Sequence, residues 1–203
     1  MGTIENAFQH QRLIFATSNL HKLHEVRSMA PAGVQIVGLA DIGFAGEIPE
    51  TQNTIEGNSL QKAAFLSKLY NTPCFAEDTG LIIDALNGEP GVYSARYAGE
   101  KASYADNTNK VLKKMESEIN RTARFKTVIT YYHNETYVQF TGITEGEIIN
   151  TPQGNQGFGY DPIFIPSGSS KTYAEMTLEE KNRFSHRKKS FDSFANYLSN
   201  NSV

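Results

Sequence analysis

Short apolar runs that alternate with helix-favouring stretches constrain this fold more than any other feature of the sequence. Residues 13–16 are apolar and predict a buried strand, the polar turn Thr17-Ser18-Asn19 follows, and residues 20–29 favour a helix. Residues 34–39 predict a second strand. A strand, a turn, a helix and another strand in this order are typical of an α/β protein, in which helices cover a sheet.

The centre of the chain predicts a second helix and two more strands. Asn53 and Glu56 form a capping box, a pattern that often starts a helix. Residues 73–75 and 81–83 are expected to be strands on either side of a turn, Glu77-Asp78-Thr79-Gly80. In that arrangement the side chain of Asp78 would be presented at the edge of a sheet.

The next part of the chain predicts antiparallel pairing. Residues 124–133 and 137–149 are rich in Val, Ile, Thr, Tyr and Phe and are separated by Asn134-Glu135, which indicates a β-hairpin and therefore a mixed sheet. The other expected elements are a strand over residues 163–165, helices over about residues 104–117 and 185–198, and a short helix capped by Thr177 and Glu180.

The composition limits the size and the surroundings of the protein. With 203 residues, 39% of them hydrophobic, the chain is long enough for one α/β domain with a core. The formal net charge of -3 argues against a general nucleic-acid coat protein or a polybasic membrane binder. Cys74 is the only cysteine, and the apolar runs are shorter than the roughly 18 residues of a membrane span. Because residues 1–11 do not resemble a signal peptide, we expect a cytoplasmic protein.

A candidate anion site lies where the first strand passes into the first helix. Backbone N–H groups at the helix start, the hydroxyls of Thr17 and Ser18 and the ammonium of Lys22 could converge there on phosphate oxygens. The segment is not a Walker A loop, because the Gly-x-x-x-x-Gly-Lys-Ser/Thr pattern is absent from the sequence. The alternative is that Asn19 merely caps the helix.

Three acidic residues are candidates for a metal site. Glu50, Glu77 and Asp78 are suited to a divalent ion, because Mg²⁺ prefers a few carboxylate oxygens together with waters and substrate phosphates. On the helix after Glu50, Asn58 and Lys62 are four residues apart and share a face, which offers an amide and a cation to the same ligand. The alternative is that these residues form an ordinary turn and a solvated helix face.

A glycine-rich loop near the C-terminus is a candidate nucleoside site. In Gly157-Phe158-Gly159-Tyr160-Asp161, Phe158 could stack on a base and Asp161 could bind a ribose or a base edge, although ordinary packing would also explain the aromatic residues. His186 and Arg187 open the last helix, where two donors side by side could read a carbonyl oxygen on a base.

Six motifs along the chain resemble those of the inosine triphosphate pyrophosphatase family, in the family's order. The resemblance extends from about residue 13 to residue 198. The motifs are Thr17-Ser18-Asn19-x-x-Lys22, Glu50-Thr51 with Asn58-x-x-x-Lys62-Ala63, Ala76-Glu77-Asp78-Thr79-Gly80-Leu81, Gly91-Val92-Tyr93-Ser94-Ala95-Arg96-Tyr97, Phe158-Gly159-Tyr160-Asp161-Pro162-Ile163-Phe164, and Glu180-Lys181 with Ser185-His186-Arg187.

This resemblance implies a two-lobed α/β protein with an elongated mixed sheet, a nucleotide cleft between the lobes and assembly as a homodimer. Residues 12–200 would form that single domain, and residues 1–11 would be an extension without an assigned function. The implied activity is Mg²⁺-dependent hydrolysis of noncanonical purine nucleoside triphosphates (ITP, dITP and XTP) to the monophosphate and pyrophosphate. The alternatives are a Maf-type pyrophosphatase acting on pyrimidine or modified nucleotides, and a nucleotide-binding module without turnover.

The resemblance also implies roles for individual residues. Asp78 matches the family's proton acceptor and metal ligand, Glu50 the other metal ligand, and Glu77 a further carboxylate at the metal. Lys22 is expected to neutralise charge on the leaving pyrophosphate, as a second catalytic residue. The implied substrate-binding residues are Thr17, Ser18, Asn19, Leu20, His21, Lys22, Asn58, Lys62, Thr79, Phe158, Gly159, Tyr160, Asp161, Lys181, His186 and Arg187.

The chain departs from the family's pattern in two places. Ser18 stands where the family often has Gly, and Glu56-Gly57-Asn58-Ser59 stands where a Glu-Asn-Ala sequence is common. The hydroxyl of Ser18 adds a polar group near the expected phosphates. Gly57 is expected to cost its helix about 1 kcal/mol relative to Ala.

Overall fold

The computed structural model describes residues 11–201, which form two compact units. Unit 1 comprises residues 11–78, Val128–Thr141 and residues 187–201, and unit 2 comprises Thr79–Thr127 and Gly142–His186. The chain therefore passes four times from one unit to the other. Of the expected N-terminal extension, residues 1–10 lie outside the described residues, and Gln11 already belongs to the first strand. No helix within residues 11–201 is long and apolar enough to cross a membrane.

The described residues contain a mixed sheet with helices around it. The strands are β1 (Gln11–Phe15), β2 (Val34–Val37), β3 (Cys74–Ile83), β4 (Thr122–His133), β5 (Thr136–Ile148) and β6 (Phe164–Pro166), in the order β2-β1-β3-β4-β5-β6. The α-helices are α1 (Leu20–Met29), α2 (Ile55–Tyr70), α3 (Tyr104–Lys114), α4 (Leu178–Asn182) and α5 (His186–Asn200). Strand β1 pairs in parallel with β2 and β3, whereas β5 pairs antiparallel with β6, so the predicted mixed α/β sheet is confirmed.

The turn between β4 and β5 confirms the predicted hairpin. Asn134 and Glu135 are its two loop residues, and both have positive φ, 48° and 60°. A two-residue turn with φ > 0 at both positions matches the twist of antiparallel strands, and Asn tolerates this conformation better than most residues. Neighbouring strands joined by so short a turn run antiparallel.

The prediction of a turn at Glu77-Asp78-Thr79-Gly80 is wrong, because β3 runs without a break from Cys74 to Ile83. Strand β3 lies between β1 and β4, and all its residues except Thr79 and Ile82 are buried. Pairing on both sides satisfies the backbone polar groups of β3, which outweighs the turn preference of Asp and Gly. Asp78 therefore lies inside a central strand and not at the edge of a sheet.

Helix α2 begins with a different cap from the one predicted. Thr54, not Asn53, is the N-cap: its backbone is extended and its Oγ1 accepts the N–H of Gly57 at 3.0 Å. With Thr54 at the cap, the third helical residue is Gly57, which has no side chain to donate or accept in return. The predicted capping box therefore does not form.

Replacing Gly57 by Ala is expected to destabilise the protein, although helix propensity alone favours Ala by about 1 kcal/mol. A Cβ atom at Gly57 would lie 2.8 Å from Gln52 Cβ and 2.9 Å from Thr54 Oγ1. Displacing the capping hydroxyl costs about 1 kcal/mol, and crowding costs a further 1–3 kcal/mol or so. We expect Gly57→Ala to lower the melting temperature by about 2–4 °C for each net kcal/mol. A higher melting temperature would contradict this prediction.

Each unit has its own apolar core. The core of unit 1 includes Leu13, Phe15, Val26, Phe75, Ile129, Phe191 and Phe194. The core of unit 2 includes Leu81, Ile83, Val111, Met115, Phe125, Tyr160, Phe164 and Tyr173. Most residues predicted for the functional site lie on helices and strands that contribute side chains to these cores, or in loops next to those helices and strands.

Candidate active site

The start of α1 is capped by the side chain of Asn19. Asn19 Oδ1 accepts the backbone N–H groups of His21 at 3.0 Å and of Lys22 at 3.2 Å, and Thr17 Oγ1 accepts the N–H of Asn19 at 3.2 Å. Two of the amides expected to bind phosphate are therefore satisfied by Asn19 itself. The exposed residues of this segment are Ser18, Leu20 and His21. Contact of the segment with phosphate stays a prediction.

A buried network of charges joins α1, β3 and α5 in unit 1. Arg187 donates through Nε and Nη2 to the two carboxylate oxygens of Glu77, at 2.8 and 2.9 Å. Arg187 Nη1 donates to Glu25, and Lys22 Nζ lies 3.1 Å from Glu77 Oε1. Arg187, Glu77 and Glu25 are all buried. The two positive and two negative charges balance, which makes their burial tolerable.

Glu77 and Arg187 stay ionised within this network. Burial alone would raise the pKa of Glu77, but Arg187 and Lys22 beside it hold that pKa far below its ordinary range. Burial likewise opposes the charge of Arg187, and the carboxylates of Glu77 and Glu25 raise its pKa overall. Contact of Arg187 with a base and contact of Glu77 with a metal stay predictions.

A second charged group in unit 1 surrounds Lys62. Lys62 Nζ donates to Glu50 Oε1 at 2.8 Å and to Asp78 Oδ1 at 3.0 Å. Lys62 belongs to α2, Asp78 to β3, and Glu50 to the loop before α2. Lys62 and Asp78 are buried, whereas the side chain of Glu50 is 37% exposed. The structure thus brings together three predicted site residues around one ammonium group.

Two buried polar atoms near this group have no hydrogen-bond partner among residues 11–201, namely Asp78 Oδ2 and Asn58 Nδ2. The other amide atom of Asn58, Oδ1, accepts the N–H of Gln52 at 2.9 Å. Buried polar atoms are normally paired, because leaving one unpaired costs about 1–3 kcal/mol. Each of these two atoms is therefore a position at which a ligand can supply the missing partner.

Glu50 and Asp78 fit a divalent cation such as Mg²⁺. In the described part of the chain, no three His, Cys, Asp or Glu side chains gather into a complete metal site. Mg²⁺ does not require one, since it usually binds one or two carboxylates together with waters and substrate phosphates. The unpaired Oδ2 of Asp78 and the carboxylate of Glu50 are oxygen donors of the kind that Mg²⁺ prefers.

The second charged group also changes the proton affinity of Asp78. Burial raises the pKa of Asp78 above its ordinary value, although Lys62 and Lys22 act in the opposite direction. Burial opposes the charge of Lys62, but Asp78 and Glu50 raise its pKa overall. An aspartate with a raised pKa accepts a proton more readily than an ordinary one, and the neighbouring lysine stays a cation.

The predicted residues of the glycine-rich loop form a group of their own in unit 2. Asp161 Oδ2 accepts the N–H of Phe158 at 2.9 Å and the ammonium of Lys181 at 2.7 Å. Lys181 Nζ also lies 5.2 Å from the centroid of the Phe158 ring, within the range of a cation–π contact. Asp161 and Lys181 are buried, and Phe158 is partly exposed. A buried ion pair thus holds the loop that presents the Phe158 ring.

The remaining predicted residues of unit 2 are held by packing and hydrogen bonds. His186 is buried and stacks on Phe125, with 4.7 Å between the ring centroids. The residues that have a hydrogen-bond partner within unit 2 include Thr79, Gly159 and Tyr160. Contact of these residues with a substrate stays a prediction.

Sequence reasoning missed two residues of these groups, Glu25 and Tyr104. Glu25 pairs with Arg187, 162 positions away, and an isolated acid on a helix ordinarily predicts a solvated surface. Its position three residues after Lys22, on the same face of α1, was the one available signal. Tyr104 is the first residue of α3, and its ring centroid lies 6.0 Å from that of Phe158. Nothing local in the sequence indicates that contact.

The fold and these groups define a class of α/β protein that combines paired carboxylates and lysines, suited to phosphate groups and a metal ion, with an aromatic loop. A model of the Ham1 family matches residues 13–197, and the chain belongs to this family. The predicted family resemblance is thereby confirmed.

Two relatives from flavobacteria match almost the whole chain. The dITP/XTP pyrophosphatase of Flavobacterium johnsoniae is 50% identical over 187 residues, which cover 92% of this chain and 97% of the relative. The dITP/XTP pyrophosphatase of Flavobacterium psychrophilum is 48% identical over 189 residues, which cover 93% and 100%. The match therefore extends along nearly the full length of both sequences and is not confined to isolated motifs.

A solved structure confirms the fold class. The structure of a HAM1 protein from Coxiella burnetii superimposes with a TM-score of 0.86 at 35% sequence identity, covering 94% of this chain and 99% of that protein. At this identity and coverage the two chains share one fold.

Proposed function

We propose that this chain hydrolyses noncanonical purine nucleoside triphosphates, namely ITP, dITP and XTP, to the monophosphate and pyrophosphate. The observation that carries the proposal is the group of Glu50, Lys62 and Asp78, in which a buried lysine joins two carboxylates and Asp78 Oδ2 has no partner among the described residues. The two flavobacterial relatives, whose names specify this activity, support the proposal.

The residues of unit 1 would act on the phosphate chain. Asp78 takes a proton from a water molecule as the water oxygen attacks the α-phosphorus. The bond between this phosphorus and the bridging oxygen breaks, and the electron pair leaves with pyrophosphate. Lys22 and Lys62 offset the negative charge that develops on the leaving group, because positioned charges are the main source of catalysis in such reactions. Glu50 and Asp78 would hold Mg²⁺, which when bound neutralises phosphate charge and polarises the phosphoryl oxygens.

The residues of unit 2 would select the base. Phe158 would stack on the purine, and His186 and Lys181 would offer hydrogen-bond donors to it. Hypoxanthine and xanthine have an accepting oxygen at position 6, where adenine has a donating amino group. A donor that faces another donor leaves buried polar groups unpaired, which costs about 1–3 kcal/mol and disfavours ATP.

We also propose that the protein is a cytoplasmic homodimer. The family resemblance supports the dimer, and the lone Cys74 is typical of a reducing compartment. Sedimentation equilibrium of the full chain would measure the dimer directly, and a monomer at micromolar concentration would contradict it.

Pyrophosphate release from ITP, XTP, dITP, ATP and GTP, each with Mg²⁺ or with a chelator, tests the proposed activity. We expect turnover of the first three only, and only when Mg²⁺ is present. Turnover restricted to pyrimidine or modified nucleotides would indicate a Maf-type activity instead. Tight nucleotide binding without pyrophosphate release would indicate a binding module.

Gly157→Ala is expected to raise the KM for dITP by about tenfold, the equivalent of about 1.4 kcal/mol of binding. Gly157 has φ of +73°, and a Cβ atom there would lie only 2.0 Å from Asp161 Oδ2. The displaced carboxylate would lose its bonds to Phe158 and Lys181, so the Phe158 ring would no longer be held for stacking.

Gly168→Ala is the matched control for this prediction. Gly168 lies in the same unit and has a similar φ of +88°, but a Cβ atom there would meet only Phe184, at 3.8 Å. We expect its KM to stay within about twofold of that of the unchanged protein. A KM raised equally in both variants would show that backbone strain, and not the position of Asp161, weakens substrate binding. An unchanged KM in both variants would contradict the prediction.

A further inference from the structure

A series of hydrogen bonds, two of them fully buried and two partly buried, connects α2 to three neighbouring strands in unit 1. We infer that this series of hydrogen bonds, which we call the hydrogen-bond chain, positions α2 so that Lys62 contacts Asp78. It runs from Gln139 through Thr130 and Ser59 to Ala76. Ser59 and Thr130 are then positioning residues for catalysis. The effect on catalysis rests on the proposed function, whereas the effect on the position of Lys62 does not.

The hydrogen bonds of this chain run in one direction. Gln139 Nε2, on β5, donates to Glu56 O and to Thr130 Oγ1, both at 3.0 Å. Thr130 Oγ1, on β4, donates to Ser59 Oγ at 2.8 Å, and Ser59 Oγ donates to Ala76 O, on β3, at 3.2 Å. Each hydroxyl thus accepts one bond and donates one, which uses its single proton.

Burial makes these bonds hard to replace. Ser59 and Thr130 have no exposed surface, so water has no access to a partner that loses its bond. Hydrogen bonds also fix position more strictly than apolar contacts, because they weaken steeply with distance and angle. The buried residues of α2 comprise the polar Asn58, Ser59, Lys62 and Ser67 and the apolar Ile55, Ala63 and Leu66. Apolar packing is therefore only part of what fixes the position of α2, and polar contacts provide the rest.

The location of Ser59 connects the hydrogen-bond chain to the candidate active site. Ser59 lies three residues before Lys62, which places the two side chains on the same side of α2. Ala76 lies two residues before Asp78 on β3. The bond from Ser59 to Ala76 therefore joins the helix and the strand within one helical turn of the 3.0 Å contact between Lys62 and Asp78.

Ser59→Ala and Ser67→Ala form a matched pair of variants for a kinetic test. Ser67 is also buried on α2, but its Oγ donates to Thr72 O at 2.7 Å, outside the chain of bonds. At saturating dITP and Mg²⁺ we expect Ser59→Ala to lower kcat by at least about tenfold with little change in KM, since small displacements of catalytic groups have effects of this size. Ser67→Ala should keep kcat within about twofold.

Two substitutions at Thr130, the residue that donates to Ser59, test the same hydrogen-bond chain. Thr130→Val keeps the shape of the side chain but removes the hydroxyl, and we expect it to lower kcat as Ser59→Ala does. Thr130→Ser keeps the hydroxyl and should retain most of the activity. A kcat that is unchanged in Thr130→Val, or equal in Ser59→Ala and Ser67→Ala, would overturn the inference.

Crystal structures of Ser59→Ala and Ser67→Ala provide a readout that does not need activity. We expect the distance from Lys62 Nζ to Asp78 Oδ1 to exceed about 4 Å in Ser59→Ala and to stay at hydrogen-bond length in Ser67→Ala. An intact contact in both variants would overturn the inference whatever the kinetics. A wild-type protein that releases no pyrophosphate would instead overturn the proposed function, and the crystallographic comparison would still decide the inference.

Discussion

Asp78→Asn is expected to lower the kcat for pyrophosphate release by at least about a hundredfold, the usual scale for losing a general base. Asn has nearly the shape of Asp, but it cannot accept a proton from water at neutral pH and carries no charge for a divalent cation. The fold should survive the change, because Lys62 keeps its 2.8 Å contact with Glu50. The measurement is kcat at saturating dITP and Mg²⁺, together with the melting temperature.

Asp84→Asn is the control for this prediction. Asp84 directly follows β3 but is exposed and pairs with Arg124 at 3.0 Å, so it carries the same chemistry away from the candidate site. We expect its kcat to be unchanged. Turnover of Asp78→Asn within a few-fold of that of Asp84→Asn would remove Asp78 from the role of proton acceptor.

Arg187→Met is expected to lower the free energy of unfolding by about 3–5 kcal/mol, the usual cost of removing one partner from a buried ion pair. Met has a similar length and fills the space, but it leaves the carboxylates of Glu77 and Glu25 buried without the guanidinium that donates to both. The measurement is urea denaturation at neutral pH.

The effect of Arg187→Met should depend on pH in a predictable direction. In the wild type the pKa of Glu77 lies far below its unfolded value of about 4.3, so the stability that this group contributes is complete above that pH and is lost as pH falls further. Without Arg187, burial raises the pKa of Glu77 and Lys22 acts in the opposite direction. The variant can then gain a proton on folding at pH values above about 4.3, so the difference in stability between variant and wild type should begin to narrow there as pH falls, and should narrow further below about pH 4.3, where the wild type loses stability.

Arg183→Met is the matched control for this second prediction. The side chain of Arg183 is 69% exposed and pairs with an exposed Glu179, and such pairs contribute little to stability. We expect a change in the free energy of unfolding below about 1 kcal/mol. A similar small change for Arg187→Met would contradict the view that the buried network holds unit 1 together.

Elements whose cause is local could be predicted from the sequence. Helix α1 was expected over residues 20–29 and extends over Leu20–Met29, because its cap, Asn19, bonds to amides two and three residues away. The hairpin of β4 and β5 likewise depends only on two β-rich segments and the two residues between them. In both cases the interactions that decide the structure lie within a few positions of one another.

Features that depend on distant residues could not be predicted in this way. Asp78, Thr79 and Gly80 favour a turn by themselves, but β3 is paired on both sides and the sequence does not show which strands flank it. The motifs identified Arg187 as a candidate, yet the geometry that commits it to Glu77 and Glu25 arises only from tertiary structure. The sequence therefore predicted the candidate residues one by one, but it did not predict the contacts among them.

The distribution of unit 1 over three chain segments has a consequence for synthesis on the ribosome. Glu77 and Glu25 are synthesised before their ion-pair partner Arg187, which follows them by 110 and 162 positions. At a translation rate of about 5–20 residues per second, Glu25 waits roughly 8–30 s for its cation. All residues of unit 2 precede Arg187 in the sequence, so each of them leaves the ribosome before Arg187 does. Unit 1 completes its fold last, once α5 has left the ribosome.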